Sequence, residues 1–268
     1  MRELIIGKTD YKAEVEKIRT YFKDYVTNAN LKSVVLGVSG GIDSAIIAAL
    51  VAPVCKETGV KLIGISLPAN SNQSDEKTRA IEIGESFCDV FSEKSIEKLY
   101  ENMWLEACPC EVFPSFADKI RLGNIKARIR MILLYDMSQR FNGLVMSTDN
   151  LTEYLLGFWT LHGDVGDLGL IQKLWKTDIY QMSSYLINSE IKDERAKKSL
   201  QSCIDAVPTD GLGITRSDLE QIGGESYMEV DKVLYRYLTN NGGDKSNPII
   251  QRYERTHFKR TNPSNLEF

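Results

Sequence analysis

A short glycine-containing loop, Ser39-Gly40-Gly41-Ile42-Asp43-Ser44, carries the residue types that point most clearly to chemistry. The run 33–38 before it is apolar and β-branched, and segment 42–56 after it is strongly helix-forming, so the loop joins a strand to a helix. Glycines let backbone N–H groups approach phosphate oxygens, and the beginning of a helix adds a favourable dipole. Ser39 and Ser44 can donate hydroxyls. The sequence therefore predicts a phosphate-binding loop.

Asp43 is unexpected in such a loop, because a carboxylate repels a phosphate. A magnesium ion between the two removes this conflict, so the sequence predicts Asp43 as a metal ligand. The loop lacks the lysine that follows the last glycine of a Walker loop, and it lacks the spacing of a dinucleotide fingerprint. The alternative is an ordinary strand-to-helix turn. The matching strand, helix, hydroxyls and carboxylate favour the functional interpretation.

Composition limits the class of protein that could hold this loop. The chain has 268 residues, 43% of them hydrophobic, which fits one large α/β domain over 1–268. A formal net charge of -4 gives no overall attraction to nucleic acid or to an anionic membrane. The N-terminus lacks the apolar region of a signal peptide, and no apolar run approaches ~20 residues. The 5 cysteines show no disulfide spacing, so we expect a reduced, cytoplasmic protein.

Apolar periodicity predicts the elements that position the loop. Helices are predicted near 10–29 and over 42–56, 74–87, 115–140, 176–186 and 228–237, and strands over 33–38, 60–67, 90–91 and 144–147. Strand 60–67 is continuously hydrophobic, as expected for a central strand covered on both faces. Alternating strands and helices predict a doubly wound parallel sheet with helices on both faces and a helical C-terminal extension.

At this point the sequence resembles a known family. The loop 39–44 after a strand is similar to that of the N-type ATP pyrophosphatases, whose fold is of the adenine nucleotide alpha hydrolase type. Segments 123–131, 147–153 and 157–158 resemble the NAD synthetase branch in particular. Further matches continue in family order at Gly163-Asp164, Lys176, Pro208-Thr209, Lys259-Arg260 and Pro263. Together they cover nearly the whole chain.

The resemblance implies a ligase that amidates deamido-NAD to NAD with ATP, releasing AMP and pyrophosphate. It implies a homodimer with deamido-NAD at the subunit interface, and no nucleic-acid or membrane partner. Glutamine-dependent members carry an N-terminal amidase domain. The strand before the loop begins near Ser33, which leaves no room for one, so the expected nitrogen donor is ammonia.

The resemblance also implies roles for individual residues. Magnesium is expected at Asp43 and Glu153. ATP is expected at Gly37, Val38, Ser39, Gly40, Gly41, Ile42, Asp43, Ser44, Thr148, Lys176 and Thr209. Deamido-NAD is expected at Arg128, Leu161, Asp167, His257 and Lys259. No catalytic nucleophile or general base is assigned, because positioning and electrostatics can carry this reaction.

Several of these assignments leave alternatives open. The family has one more residue between Gly163-Asp164 and its ATP-binding lysine, and the gap is placed so that Asp167 keeps its role. Leu161 occupies the position at which many family members have a lysine, so it could contact the ligand only through its backbone. His257 is separated from Lys259 by Phe258, so it binds or simply packs.

Other residues have competing interpretations of their own. Lys126 and Arg130 could bind an anion or lie on a solvated face. Cys108-Pro109-Cys110 is one residue too short for a metal or redox pair. Among the tryptophans Trp104, Trp159 and Trp175, core packing is expected, with Trp159 the one close to Glu153.

Two rival functions would require different sequence features. A tRNA-modifying adenylase of the same loop class requires basic RNA contacts, which the acidic balance does not favour. A nucleotide sensor without catalysis does not need two metal-binding carboxylates.

Overall fold

The computed structural model describes residues 10–107, 115–240, 243–264 and 266. The strands in this part of the chain are β1 Ser33–Gly37, β2 Lys61–Ser66, β3 Val90–Glu93, β4 Gly143–Ser147 and β5 Leu168–Gly169. The helices are α1 Tyr11–Asn28, α2 Ile42–Thr58, α3 Ser74–Phe87, α4 Glu97–Ala107, α5 Phe116–Arg140, α6 Leu151–Leu156, α7 Lys176–Ser189, α8 Glu194–Asp205, α9 Asp218–Ile222, α10 Tyr227–Asn240, α11 Pro248–Arg255 and α12 His257–Arg260.

The five strands form one parallel sheet in the order β3-β2-β1-β4-β5. The chain moves outward from β1 through β2 to β3, and then returns to place β4 on the other side of β1. In such a sheet the loops at the carboxyl ends of β1 and β4 diverge and leave a crevice, where ligands bind. The fold therefore places the loop 38–44 and the segment after Ser147 on the same crevice.

Alternate residues of the central strands enter two separate cores, which is why the strands read as continuous apolar runs. Val34 and Leu36 face a core built with α1, α2 and α7. Val35, Ile63 and Ile65 face the opposite core, which contains α5 residues. Both faces of the sheet are thus covered by helices, and the predicted doubly wound fold is confirmed.

A third core holds the C-terminal helices against the sheet domain. It joins residues of α6, α9, α10 and α11 around Trp175, which is fully buried. This is the predicted helical extension, and it brings α9 and α10 beside α6 and α7. The two-residue strand β5 at the sheet edge was not predicted, because two residues show no periodicity. No helix in the described ranges is both long and apolar enough to cross a membrane.

The packing of α1 gives a stability prediction. Phe22 is fully buried in the first core, while its neighbour Tyr21 is 56% exposed. We expect Phe22→Ala to lower the free energy of unfolding by about 3–5 kcal/mol, because it removes a large buried ring and leaves a cavity. Tyr21→Ala should cost about 1 kcal/mol or less. Urea denaturation of both variants measures the difference, and equal losses would contradict this account of the core.

Candidate active site

A cavity of about 550 Å³ opens at the carboxyl ends of β1 and β4. Its wall contains the whole predicted phosphate loop and residues from six other ranges, which fall within 65–80, 116–134, 146–164, 176–180, 203–221 and 252–259. The predicted site residues that line it are Gly37, Val38, Ser39, Gly40, Gly41, Ile42, Asp43, Ser44, Thr148, Glu153, Lys176, Thr209 and Lys259. The fold therefore brings together residues that are up to 222 positions apart, counting from Gly37 to Lys259.

The loop conformation explains its glycines. Gly40 has φ +82°, a value that L side chains rarely adopt, and a Cβ there would lie 2.2 Å from the Glu76 carbonyl oxygen. The loop is thus pressed against α3, with room only for glycine. Helix α2 begins at Ile42, so its first N–H groups face the cavity. This geometry is the one that the predicted helix-start anion site requires.

The loop hydroxyls hold its shape through hydrogen bonds. The two oxygens Oγ of Ser39 and Ser44 are 3.1 Å apart, and the Ser39 backbone N–H donates to Ser44 Oγ at 3.2 Å. Ser44 Oγ in turn donates to the Gly41 carbonyl at 3.1 Å. Arg79 reinforces the turn from α3, because its Nε donates to the Gly40 carbonyl at 3.0 Å. Arg79 also lines the cavity, where it adds positive charge.

Lys176 lies between the two carboxylates that are predicted to bind metal. Its Nζ is 2.5 Å from Asp43 Oδ2 and 2.8 Å from Glu153 Oε1. The lysine side chain is 3% exposed, and the carboxylates are 17% and 15% exposed. The ammonium group therefore pairs with two carboxylates at the edge of the cavity, and it ties the starts of α2, α6 and α7 together.

Hydrogen bonds position both sides of this ion pair. Asn150 accepts from the Glu153 N–H at 3.0 Å as the cap of α6, and its Nδ2 donates to Asp43 Oδ1 at 2.8 Å. Thr152 Oγ1 accepts from the Lys176 N–H at 2.9 Å and donates to Asp231. One asparagine thus orients the Asp43 carboxylate and caps the helix that carries Glu153, and α10 supports the start of α7 through Asp231.

Burial shifts the titration of these groups. Burial, helped by the charge of Asp43 and opposed by Lys176, raises the pKa of Glu153. Burial also acts to lower the pKa of Lys176, but Asp43 and Glu153 outweigh it and raise that pKa well above the usual value. Burial raises the pKa of Asp149 and of Asp218, which line the same cavity, to about 6 each. The cavity is therefore rich in carboxyl groups that favour a cation or a proton.

A family model described as NAD synthase matches residues 14–263, which is almost the whole chain and includes every residue of this cavity. The chain belongs to the NAD synthase family. The prediction that it is a ligase of this family is confirmed, and the expected use of ATP agrees with the family. The expected family membership, made from the loop and the segments after it, is likewise confirmed.

Individual members of the NAD synthase family are similar along their whole length. The NH(3)-dependent NAD(+) synthetase of Finegoldia magna is 31% identical over 262 residues, covering 97% of this chain and 98% of the relative. An NH3-dependent NAD synthetase structure from Campylobacter jejuni, in complex with the nitrate ion, is 26% identical with a TM-score of 0.74. An NMN synthetase structure from Francisella tularensis is 25% identical with a TM-score of 0.79. Each structure match covers 97% of this chain and all of the other.

Four of the predicted deamido-NAD residues lie outside the cavity wall: Arg128, Leu161, Asp167 and His257. Arg128 is exposed, and its Nη2 donates to the Leu161 carbonyl at 3.1 Å. Asp167 is exposed and accepts from the Tyr135 hydroxyl at 2.8 Å and from the Val145 N–H at 2.9 Å. His257 is exposed at the start of α12. Their assigned roles remain predictions.

The open alternatives have structural answers at several positions. Lys126 donates to Ser71 Oγ at 3.0 Å, and Arg130 donates to the Leu67 carbonyl at 2.9 Å, so neither lies on a solvated face. Arg130 also lines the cavity. Trp159 lines the cavity and Trp175 is a core residue. Cys108-Pro109-Cys110 lies outside the described residues.

Some cavity residues escape sequence reasoning. Glu76 accepts from the Thr209 hydroxyl at 2.5 Å, which holds the loop after α8 against α3. Asn150 precedes Glu153 by three residues, and its N-cap position is a sequence signal that could have identified it. Asp218 gives no such signal, because its cavity position depends on the packing of α9.

The Lys176 ion pair gives a second prediction. Lys176→Met leaves Asp43 and Glu153 without their ammonium partner. We expect the free energy of unfolding to fall by about 2–3 kcal/mol. This loss is smaller than that for a fully buried ion pair, because both carboxylates keep some exposure. MgCl2 added without ATP should raise the melting temperature of Lys176→Met more than that of the unsubstituted chain, where the metal must displace the lysine.

Thermal unfolding over a MgCl2 titration measures both effects. Lys173→Met is the matched control, because Lys173 is an exposed lysine three residues earlier. Equal magnesium responses in Lys176→Met and in the unsubstituted chain would show that the lysine and the metal do not compete.

Proposed function

We propose that this chain forms NAD from deamido-NAD, ATP and ammonia, and releases AMP and pyrophosphate. The observation that carries the proposal is one cavity in which the phosphate loop, Asp43, Glu153 and Lys176 converge in a chain of the NAD synthase family. ATP lies with its phosphates on the loop 39–44 and within reach of Thr148 and Thr209. The relatives named as NH(3)-dependent support ammonia as the nitrogen donor.

The residues of this site fit magnesium, which the proposal requires. Asp43 and Glu153 converge on one cation already, the Lys176 ammonium, so their oxygens can share a positive charge. Among the described residues no group of three or more His, Cys, Asp or Glu side chains forms a metal cluster. Magnesium commonly uses one or two carboxylates together with substrate phosphates, so two carboxylates suffice beside ATP.

This site contributes positive charge, which stabilises negative charge on the phosphates of ATP. Bound magnesium would supply positive charge between the carboxylates and the phosphates. Lys176 would then lose its two carboxylate partners and could pair with a phosphate of ATP, as the resemblance implies. Arg79 adds a second cation to the wall of the cavity. Both cations stabilise the negative charge that develops when the α-phosphorus is attacked.

The carboxylate of the nicotinate ring attacks the α-phosphorus, pyrophosphate leaves, and an acyl-adenylate forms. Ammonia then attacks the acyl carbon and AMP departs. A protein nucleophile is not needed, and the described cysteines are poor candidates. Burial raises the pKa of Cys55 and Cys88 to about 12 each and that of Cys203 to about 11, so the thiols stay protonated near neutral pH.

Deamido-NAD lies partly outside the ATP cavity, at the interface of a homodimer. Arg128 and Ile132 stand four residues apart on α5 and therefore on the same side of the helix. Ile132 is 60% exposed, and the neighbouring helix α4 exposes Leu99, Met103 and Leu105. Exposed apolar side chains next to an exposed arginine suit a subunit interface that also contacts a dinucleotide. We place this dimer in the cytoplasm.

A second candidate differs only in the substrate. The Francisella tularensis structure is described as an NMN synthetase and has a TM-score of 0.79 with this chain. Amidation of nicotinate mononucleotide would use the same ATP cavity and the same carboxylate chemistry. The adenylate half of deamido-NAD is the part that an interface beside Arg128 would recognise, so the dinucleotide is the favoured substrate.

Turnover tests the proposed function directly. With ATP, MgCl2, ammonium chloride and deamido-NAD, we expect equal amounts of NAD and pyrophosphate. Asp43→Asn should lower kcat/KM by about 100-fold, because it removes one of the two carboxylates proposed to hold magnesium beside the phosphates. Asp24→Asn, an exposed aspartate of α1, should leave it unchanged. NMN formed faster from nicotinate mononucleotide would favour the second candidate, and absence of both products would refute the proposal.

The proposed interface has its own test. Ile132→Asp places a charge on the apolar face and should convert the dimer to monomers in sedimentation experiments. The KM for deamido-NAD should rise, while ATP binding should persist because the ATP cavity lies within one chain. Tyr21→Asp, on the exposed face of α1, is the control and should stay dimeric. An unchanged mass for Ile132→Asp would exclude this face.

A further inference from the structure

Asp218 is a buried carboxylate with one oxygen that lacks a partner. The residue is 4% exposed and lines the ATP cavity. Its Oδ2 accepts from the Tyr227 hydroxyl at 3.1 Å, but its Oδ1 has no hydrogen-bond partner among the described residues. A buried carboxylate oxygen without a donor is costly, so this position favours a small cationic ligand.

The charges around Asp218 point the same way. Asp43, Glu153 and Asp218 line the cavity together with Lys176, which directs its ammonium to the first two only. The Lys176 Nζ also lies 5.2 Å from the centre of the Tyr227 ring, so an aromatic face adjoins the site. Carboxylates and aromatic faces are the groups that recognise ammonium ions. Among the described residues no ion pair joins Asp218 to a basic side chain, so its carboxylate remains available to a small cation.

A second cavity of about 350 Å³ approaches the same place from the other side. Tyr227 lines it, while the hydroxyl of that tyrosine is bonded to Asp218. Pro208 and Tyr180 line both cavities. Tyr227 and Pro208 therefore lie between the surroundings of Asp218 and a second space.

We propose that Asp218, oriented by Tyr227, binds the ammonium ion that donates nitrogen and accepts its proton. The inference rests on the proposed function. One N–H bond of ammonium breaks, its proton moves to Asp218 Oδ1, and the nitrogen keeps the electron pair. That pair forms the C–N bond at the acyl carbon, and the bond from this carbon to the AMP oxygen breaks. The second proton lost as the amide forms passes to solvent.

Two other carboxylates, the partly buried Asp164 and the buried Asp149, line the cavity and are weaker candidates. Both oxygens of Asp164 accept from the Thr160 N–H, at 2.9 and 2.8 Å. Asp149 Oδ2 accepts from the Ser147 hydroxyl at 3.0 Å. Among the described residues that line the cavity, only Asp218 has a side-chain oxygen that is buried and has no hydrogen-bond partner. Asp164 provides the matched comparison.

Steady-state kinetics of Asp218→Asn provide the test. Asparagine keeps the shape of the side chain but removes its charge, so the KM for ammonium chloride should rise about 10- to 100-fold. The KM values for ATP and deamido-NAD should stay within about twofold, because those ligands do not use this oxygen. Asp164→Asn should leave the KM for ammonium near that of the unsubstituted chain.

Hydroxylamine separates ammonium binding from a general structural role. It is uncharged in neutral or alkaline buffer and needs no carboxylate to remove a proton before it attacks. Asp218→Asn should therefore form the hydroxamate at close to the rate of the unsubstituted chain. Equal losses with ammonium and hydroxylamine, or a raised ammonium KM in Asp164→Asn but not in Asp218→Asn, would overturn the proposal.

Tyr227→Phe tests the same site without altering the carboxylate. It removes the donor to Asp218 Oδ2 and should raise the KM for ammonium by about three- to tenfold with little change in the KM for ATP. If Asp218→Asn fails to fold, this variant decides, and an unchanged ammonium KM contradicts the inference. An unsubstituted chain that forms no NAD would refute the proposed function; an active chain with no effect of either variant refutes the ammonium site alone.

Discussion

The contact of Lys176 with Asp43 and Glu153 is the interaction on which the rest of the site depends. This contact joins the first turns of α2, α6 and α7, which are far apart in sequence. The Lys176 Nζ is 2.5 Å from the Asp43 oxygen and 2.8 Å from the Glu153 oxygen. Three charges this close and this little exposed are stable only if the surrounding hydrogen bonds are satisfied. Asn150 donates to Asp43, while Thr152 and Asp231 hold the backbone at the start of α7, so the hydrogen bonds around the charges join α6, α7 and α10.

The sheet topology determines where this contact can occur. The crevice between the carboxyl ends of β1 and β4 brings the phosphate loop opposite α6, and the C-terminal core presses α9 and α10 onto the same crevice. In the proposed function, the lysine that pairs with two carboxylates in the free chain would be the cation that ATP and magnesium redirect. Binding of the nucleotide and the metal is therefore expected to be coupled through Lys176.

Most of the fold and part of the site could be predicted from local sequence. The loop 39–44 and α1 follow from glycine chemistry and apolar periodicity, which act over a few residues, and the structure agrees with both. Asp218 and the Glu76–Thr209 contact could not be predicted, because each depends on how distant helices pack. Arg128 and Asp167 lie outside the cavity wall, where a second subunit would have to complete their roles.

The central claim is that a substrate carboxylate is activated by transfer of AMP in this cavity. Deamido-NAD whose nicotinate carboxylate carries a heavy oxygen isotope tests it most directly. Attack of that carboxylate on the α-phosphorus leaves one labelled oxygen on AMP when ammonia displaces it. The account predicts label in AMP and none in pyrophosphate. Unlabelled AMP beside newly formed NAD, or label in pyrophosphate, would contradict it.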